Sequence, residues 1–235
     1  MPEGVAPGAE APSVLLVRVA PANDSGRRLT RVDLLALAPP DGWHPIDPSR
    51  IGPPPRPERT VLHRVASRIL RRLGRDDIPN LFLLLLRTPR LVVPWTAYAS
   101  RLMPYGRLPA LDRERMILRI AWSSRCRYEW LQHLEIGLSL GLTPADVRDA
   151  VTPADALASL ADRRLATLLS ACDELHRDRR LTDETYRALE GIVSEPLLIE
   201  VLMLVAHYEG LAAVLNSVGV EPEAEVLRKI ARAAG

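Results

Sequence analysis

The sequence predicts an all-α protein preceded by a non-helical extension, and three observations carry that prediction. From about residue 58 onward, apolar residues recur at i, i+3 and i+4, the spacing of one helix face. Helix-opening signatures punctuate the same region, among them Thr143-Pro144-Ala145-Asp146 and Thr182-Asp183-Glu184. Upstream, prolines come so often between Pro39 and Pro57 that no helix can persist there. The 235 residues thus divide into an extension, 1–57, and a helical domain, 58–235, long enough for one well-buried core. Only 4% of the residues are aromatic, so that core must rest on Leu, Val, Ile and Ala.

Residues 1–12 are Pro, Gly, Ala and Glu without periodicity and read as a disordered tail. Val14 to Ala20 and Leu29 to Leu37 flank the turn-prone Asn23-Asp24-Ser25-Gly26, a pattern that fits a β-hairpin docked on the rest of the chain. The proline-rich stretch reads as an extended strap, which Trp43 and Ile46 can pin to the helical body or to a neighbouring subunit. Val61, Leu62, Val65, Ile69 and Leu73 form the apolar face of a first helix whose other side is rich in arginine. Asn80 is expected to cap a short helix reaching Arg87. Pro89 opens the next, through Met103, and Pro94 inside it should bend or split it. A helix hairpin follows: Asp112 is expected to cap its first arm, and the second runs from Ser124 or Cys126 to Gly141, a residue suited to a left-handed terminus. Thr143 caps a short helix to about Val151. Further helices are expected over Asp162 to Arg179, after Thr182, over Glu195 to Val218 and over Glu221 to Ala233.

Composition narrows the function classes. Apolar residues make up 47% and charged residues 26%, as in an ordinary globular protein. Thirty-one basic residues against 29 acidic leave a net charge of +2, so no polycationic surface for nucleic acid is expected. Cys126 and Cys172 are too few for a disulfide framework and fit a reducing cytoplasm. The N-terminus lacks a basic segment followed by an apolar one, and the run Leu81 to Leu86 is far short of the roughly 20 residues a membrane span needs. A cytoplasmic protein without a membrane partner is expected.

The chemistry concentrates on the second arm of the hairpin. Cys126, Glu129 and His133 stand three and four residues apart, which stacks a thiol, a carboxylate and an imidazole on one helix face. Leu131, Leu134 and Leu138 line another face, leaving a strip around Gln132, Glu135 and Ser139 for solvent. Ionisable groups on so buried a helix need partners or shift their pKa. Glu129 and His133 read as a proton-transfer pair or as an i, i+4 hydrogen bond that satisfies two core groups. Cys126, between Arg125 and Arg127 in a first helical turn, reads as a thiol of depressed pKa or as a small buried side chain. The spacing C-x2-E-x3-H is no standard zinc arrangement, and no metal is expected.

Glu114 followed by Cys126-Arg127-Tyr128-Glu129-Trp130-Leu131-Gln132-His133 resembles the carboxymuconolactone decarboxylase family and its alkyl hydroperoxidase D-like (AhpD-like) relatives. The YEWxxH string is the most specific part. The fit runs from about Asn80 to about Val220 and includes Ala206-His207-Tyr208 and Leu215-Asn216. In the peroxidase branch the pattern is a Glu, eleven residues, then CxxCxxxH. Here Glu129 stands at the second cysteine position, so the redox pair is absent. The resemblance implies an AhpD-like all-helical fold, usually a trimer or hexamer, with a pocket beside the hairpin.

It also implies Glu114, Cys126, Glu129 and His133 as the catalytic set: His133 as general base or acid, Glu129 as its partner and Glu114 as a second proton relay. His207 and Tyr208 would close the far wall of the pocket, and Trp122 and Trp130 would line its edge. The expected activity is cofactor-independent acid–base chemistry on a small organic molecule, such as decarboxylation, isomerisation or a related lyase step. Two alternatives stay open. One is a thiol-dependent peroxidase using Cys126 with a resolving thiol from elsewhere; the other is a non-catalytic binding or scaffold protein on the same fold.

Overall fold

The structure, a computed structural model, describes residues 31–47, 50–51, 68 and 78–232. Among these every regular element is helical: α1 (Arg31–Ala36), α2 (Asn80–Leu85), α3 (Pro89–Leu102), α4 (Ala110–Ser123), α5 (Arg127–Leu140), α6 (Pro144–Ala150), a 3-10 helix (Ala154–Ser159), α7 (Arg163–Asp178), α8 (Asp183–Glu190), α9 (Glu195–Val218) and α10 (Ala224–Arg232). The expected tail, the strand Val14 to Ala20 and almost all of the helix after residue 58 lie outside the described residues.

The hairpin expectation fails in its second half: residues 31–36 are helix α1, not a strand. Leu34 and Leu37, three apart, share a face, and both are buried with Val226 and Ile230 of α10. Alternation alone did not decide the period; the apolar stripe of α10 did, by offering a helix-shaped partner. The segment 37–47 carries no further helix and behaves as the predicted strap. Trp43 packs on Trp122 and Trp130, with ring centroids 5.8 and 5.7 Å away. Arg125, in a left-handed conformation (φ 52°), donates from its guanidinium to the carbonyls of Gly42 and Asp41, both at 2.7 Å.

Helix α4 sits between two cores. Met116, Ile117 and Ile120 face the larger one with Leu168 of α7 and Val201, Leu204 and Val205 of α9. Leu118 and Ala121 face the other, with Trp130, Leu134 and Leu138 of α5. A helix enclosed this way takes its polar residues inside: Asp112, Arg113, Glu114 and Arg119 are all buried. Arg119 answers with a two-pronged pair to Asp173, 2.6 and 2.5 Å, and two more bonds to the carbonyls of Ala150 and Thr152. Asp112 does not cap α4, because the turn at Pro109 starts the helix earlier; its carboxylate instead receives Arg164 at 2.9 Å.

Other boundaries follow the local chemistry. Gly141 ends α5 at φ 107°, and Thr143 with Asp146 forms a reciprocal capping box on α6. Asp162 caps α7 and Thr182 caps α8. Asn80 is not the cap of α2; Pro79 precedes the helix, and the Asn80 amide donates to the Glu221 carbonyl at 2.9 Å. Pro94 leaves α3 in one piece and stands on its exposed side, where a displaced carbonyl can turn to water. Gln132, expected in solvent, is buried because its amide donates to Glu223 just ahead of α10. Helix α9 has 24 residues and mean hydropathy 1.8, enough by length and composition to cross a membrane. Its apolarity is used here in the larger core.

Breaking the Arg119–Asp173 pair leaves a buried guanidinium short of its main partner. Asp173→Ala is expected to lower unfolding free energy by about 3–5 kcal/mol in urea titrations, whereas a loss below about 1 kcal/mol would show the pair to be energetically idle.

Candidate active site

The arms α4 and α5 pack closely, and Gly137 makes room for Leu142 just after α5: a Cβ there would lie 2.5 Å from Leu142 Cδ1, but at an ordinary 3.6 Å from Glu114 Cβ. This proximity carries Glu114 to His133: the Glu114 carboxylate and His133 Nδ1 are 2.7 Å apart, and Arg113 Nε donates to the other carboxylate oxygen at 3.2 Å. A carboxylate at Nδ1 favours the proton there and leaves Nε2 as the acceptor. The expected Glu129–His133 bond is therefore not made; the imidazole is taken from across the hairpin.

Glu129 is left as the exception among the buried charges. It is 2% exposed, and neither carboxyl oxygen has a hydrogen-bond partner of good geometry. Burial pushes its pKa well above the ordinary carboxylate value, and the negative charge of Glu209 adds to the shift; the neighbouring Cys126 thiol opposes it weakly. A neutral carboxylic acid is the form that this setting favours. Cys126, 1% exposed, is also driven the other way from the sequence expectation. Burial above all raises its pKa well above that of a free thiol, outweighing hydrogen bonds from the first turn of α5. Arg125 cannot help, since its guanidinium is turned to the strap.

Tyr208 joins the two halves. Its ring stands edge-on to His133 at 5.0 Å, and burial followed by the charges of Glu114 and Glu129 raises its phenol pKa. His207, half-buried, lies against Tyr208 (5.1 Å), Trp95 (5.5 Å) and Tyr98 (5.2 Å). Its pKa falls to about 4, through burial first and the His133 charge second, so it is neutral at physiological pH. Glu114, Cys126, Glu129, His133 and Tyr208 thus meet in one interior region. Trp122 and Trp130 do not: they stack with Trp43 in the other core, 5.3 Å apart.

None of the four catalytic candidates lines the open cleft of about 670 Å³ that lies between the strap, the end of α4, α7 and α9. Its polar wall is a cluster overlooked in the sequence. Glu209 of α9 receives His176 Nδ1 at 2.8 Å, Ser124 Oγ at 3.1 Å and Arg179 at 3.2 Å. Burial would raise the Glu209 pKa, but these donors outweigh it and hold the carboxyl below its ordinary value. A carboxylate midway along an apolar helix was the available signal. Among the described residues no cluster of His, Cys, Asp and Glu is arranged to hold a metal ion.

A family model described as carboxymuconolactone decarboxylase family matches residues 89–170, which span α3 through the first half of α7. Over that segment the chain is similar to the carboxymuconolactone decarboxylase family. Solved structures extend the likeness over the fold. The AhpD core of an uncharacterized peroxidase-related protein from Ralstonia eutropha JMP134 is 21% identical, with a TM-score of 0.61 over 78% of this chain and 95% of that one. The debrominase Bmp8 without ligand is 17% identical, with a TM-score of 0.59 over 78% and 97%. A cysteine-to-alanine variant of that debrominase, in complex with 2,3,4-tribromopyrrole, is 16% identical, with a TM-score of 0.57 over 78% and 96%. At these identities the likeness establishes the AhpD-like fold. No curated protein matches the chain in sequence.

A raised Glu129 pKa has a signed consequence for stability. The folded protein holds a proton that the unfolded chain releases near the usual carboxylate pKa of about 4.3. Stability contributed by that proton is complete below this value and is lost as pH rises through the folded pKa. Glu129→Gln, which mimics the neutral acid, should therefore melt higher than wild type at pH 8 and lose the advantage near pH 4. Thermal melts that differ equally at both pH values would contradict a neutral Glu129.

Proposed function

We propose that the chain is an enzyme performing cofactor-independent acid–base chemistry on a small organic molecule, of the decarboxylation, isomerisation or lyase type. The observation that carries this reading is the Glu114–His133 contact in the same buried region as a carboxyl and a thiol whose pKa values burial raises. His133, oriented by Glu114, offers a basic Nε2, while Glu129 and Cys126 are held as proton donors by burial. In isomerisation the base takes a proton from carbon; in decarboxylation the departing CO2 leaves its electron pair on the substrate as an enolate, and in either case a neutral acid then protonates carbon. Tyr208 and His207 lead from His133 toward Tyr98 on the exposed side of α3, which supports approach from that direction.

The thiol-peroxidase alternative is less well supported. A peroxide-reducing cysteine works as thiolate, and both Cys126 and Cys172 are buried with raised pKa values, Cys172 through burial and the Asp173 charge. The relatives by fold include a debrominase and a peroxidase-related protein, so the same scaffold serves more than one chemistry. We also propose a homo-oligomer, supported by the exposed Leu91 and Val93 of α3 and Ile199 and Met203 of α9. A cytoplasmic setting suits the two free thiols.

The test is a screen of carboxylated lactones and β-keto acids for CO2 release or isomerisation, followed by variants. His133→Ala and Glu129→Gln should each lower kcat by about 10²–10⁴-fold with the fold intact. Loss confined to Cys126→Ser, accompanied by hydroperoxide reduction in wild type, would overturn the assignment. In sedimentation equilibrium the wild type should exceed the mass of one chain, and Met203→Asp should lower it; a wild-type monomer would contradict the assembly.

A further inference from the structure

The cleft between α7 and α9 has a construction of its own, separate from the buried cluster. Leu175, Leu202, Val205 and Ala206 give it an apolar lining, and His176 and Arg179 border it, both tied to Glu209. His176 meets Glu209 through Nδ1, which leaves Nε2 as an acceptor. Arg179 commits one terminal nitrogen to Glu209 and keeps the rest of its guanidinium. The Ser123 hydroxyl, also in the wall, is a further donor.

Three features argue that this is a built site. Arg179 adopts φ 59° at the end of α7, an uncommon backbone state for a residue with a side chain, and from there its guanidinium meets Glu209. Glu209 is saturated by three donors, so its negative charge is offset locally and the spare donors stay oriented. The volume, about 670 Å³, is that of a small-molecule site with apolar lining and a few convergent polar groups.

We propose that this cleft binds a small organic acid: a carboxylate gripped by Arg179, with an aromatic or branched apolar body laid on Leu202, Val205 and Ala206. Carboxylate geometry matches the planar guanidinium fork, and a charge-assisted bond is about twice as strong as a neutral one. The neutral amide of the same shape keeps the apolar contact and loses the ionic one. Binding here does not require the acid–base reading of the buried cluster, since none of the four catalytic candidates lines the cleft.

The probe is 2-naphthoate, titrated into the full-length protein and followed by tryptophan fluorescence and by isothermal calorimetry, with 2-naphthamide as the uncharged isostere. Naphthoate should bind, and naphthamide about tenfold more weakly or not at all. Arg179→Gln should weaken naphthoate by about tenfold, whereas His133→Gln should leave its affinity unchanged. The Arg179 side chain reaches solvent, and equal melting temperatures would exclude misfolding as the cause. Absence of naphthoate binding, equal affinity for the amide, or binding that survives Arg179→Gln would overturn the proposal. Loss of binding in His133→Gln alone would place the ligand in the buried cluster and overturn it as well.

Discussion

The structure depends on the enclosure of α4 between two apolar cores. A helix buried on all sides carries its charged residues into the interior, and each then needs a partner at close range. Arg119 finds Asp173, Asp112 finds Arg164, and Glu114 finds Arg113 and His133. These pairs fix α4 against α5 and α7 in one register. The Glu114–His133 contact is one member of the set: it joins the two arms of the hairpin and answers a carboxylate that burial would otherwise leave poorly paired.

Glu129 breaks the pattern, and that makes it chemically interesting. Every other buried carboxylate among the described residues is answered by a cation or by hydrogen-bond donors, whereas Glu129 faces a thiol and, further off, the like charge of Glu209. Keeping such a side chain is costly unless it is neutral, and a neutral acid beside a carboxylate-oriented histidine is a natural division of proton-transfer labour. The position is the one where the peroxidase pattern has its second cysteine. In the proposed reading, that departure exchanges a second thiol for a proton donor.

Much of this was legible in the chain, for local reasons. Helices whose ends carry their own capping chemistry, such as α6 with Thr143 and Asp146 or α5 with Gly141, were placed within a residue or two. So was α9, whose apolar run leaves no other choice. What failed depended on partners far along the chain. Residues 31–36 have a pattern that suits strand or helix, and only docking on α10 decides it. Asp112 and Asn80 are good caps, yet Arg164 and the chain around Glu221 claim them first. Gln132 looks solvent-exposed until Glu223 is brought beside it. The site was half-legible in the same sense. The spacing of Cys126, Glu129 and His133 gave a shared face, but the thiol shift turned out opposite because burial outweighs a helix N-terminus whose flanking arginine points away. The Trp122 and Trp130 placement missed because Trp43, from the strap, completes their cluster.

The account is tested most directly by the protonation state of Glu129. With side-chain carboxyls of glutamate labelled with carbon-13 and the Glu129 resonance assigned by its loss in Glu129→Gln, NMR across pH reads that state at the atom concerned. The predicted resonance sits at the protonated carboxyl position at pH 7 and is flat through the range where the exposed glutamates titrate. A Glu129 signal that moves with them, ionising near pH 4 to 5, would contradict a buried proton donor and remove the basis of the acid–base site.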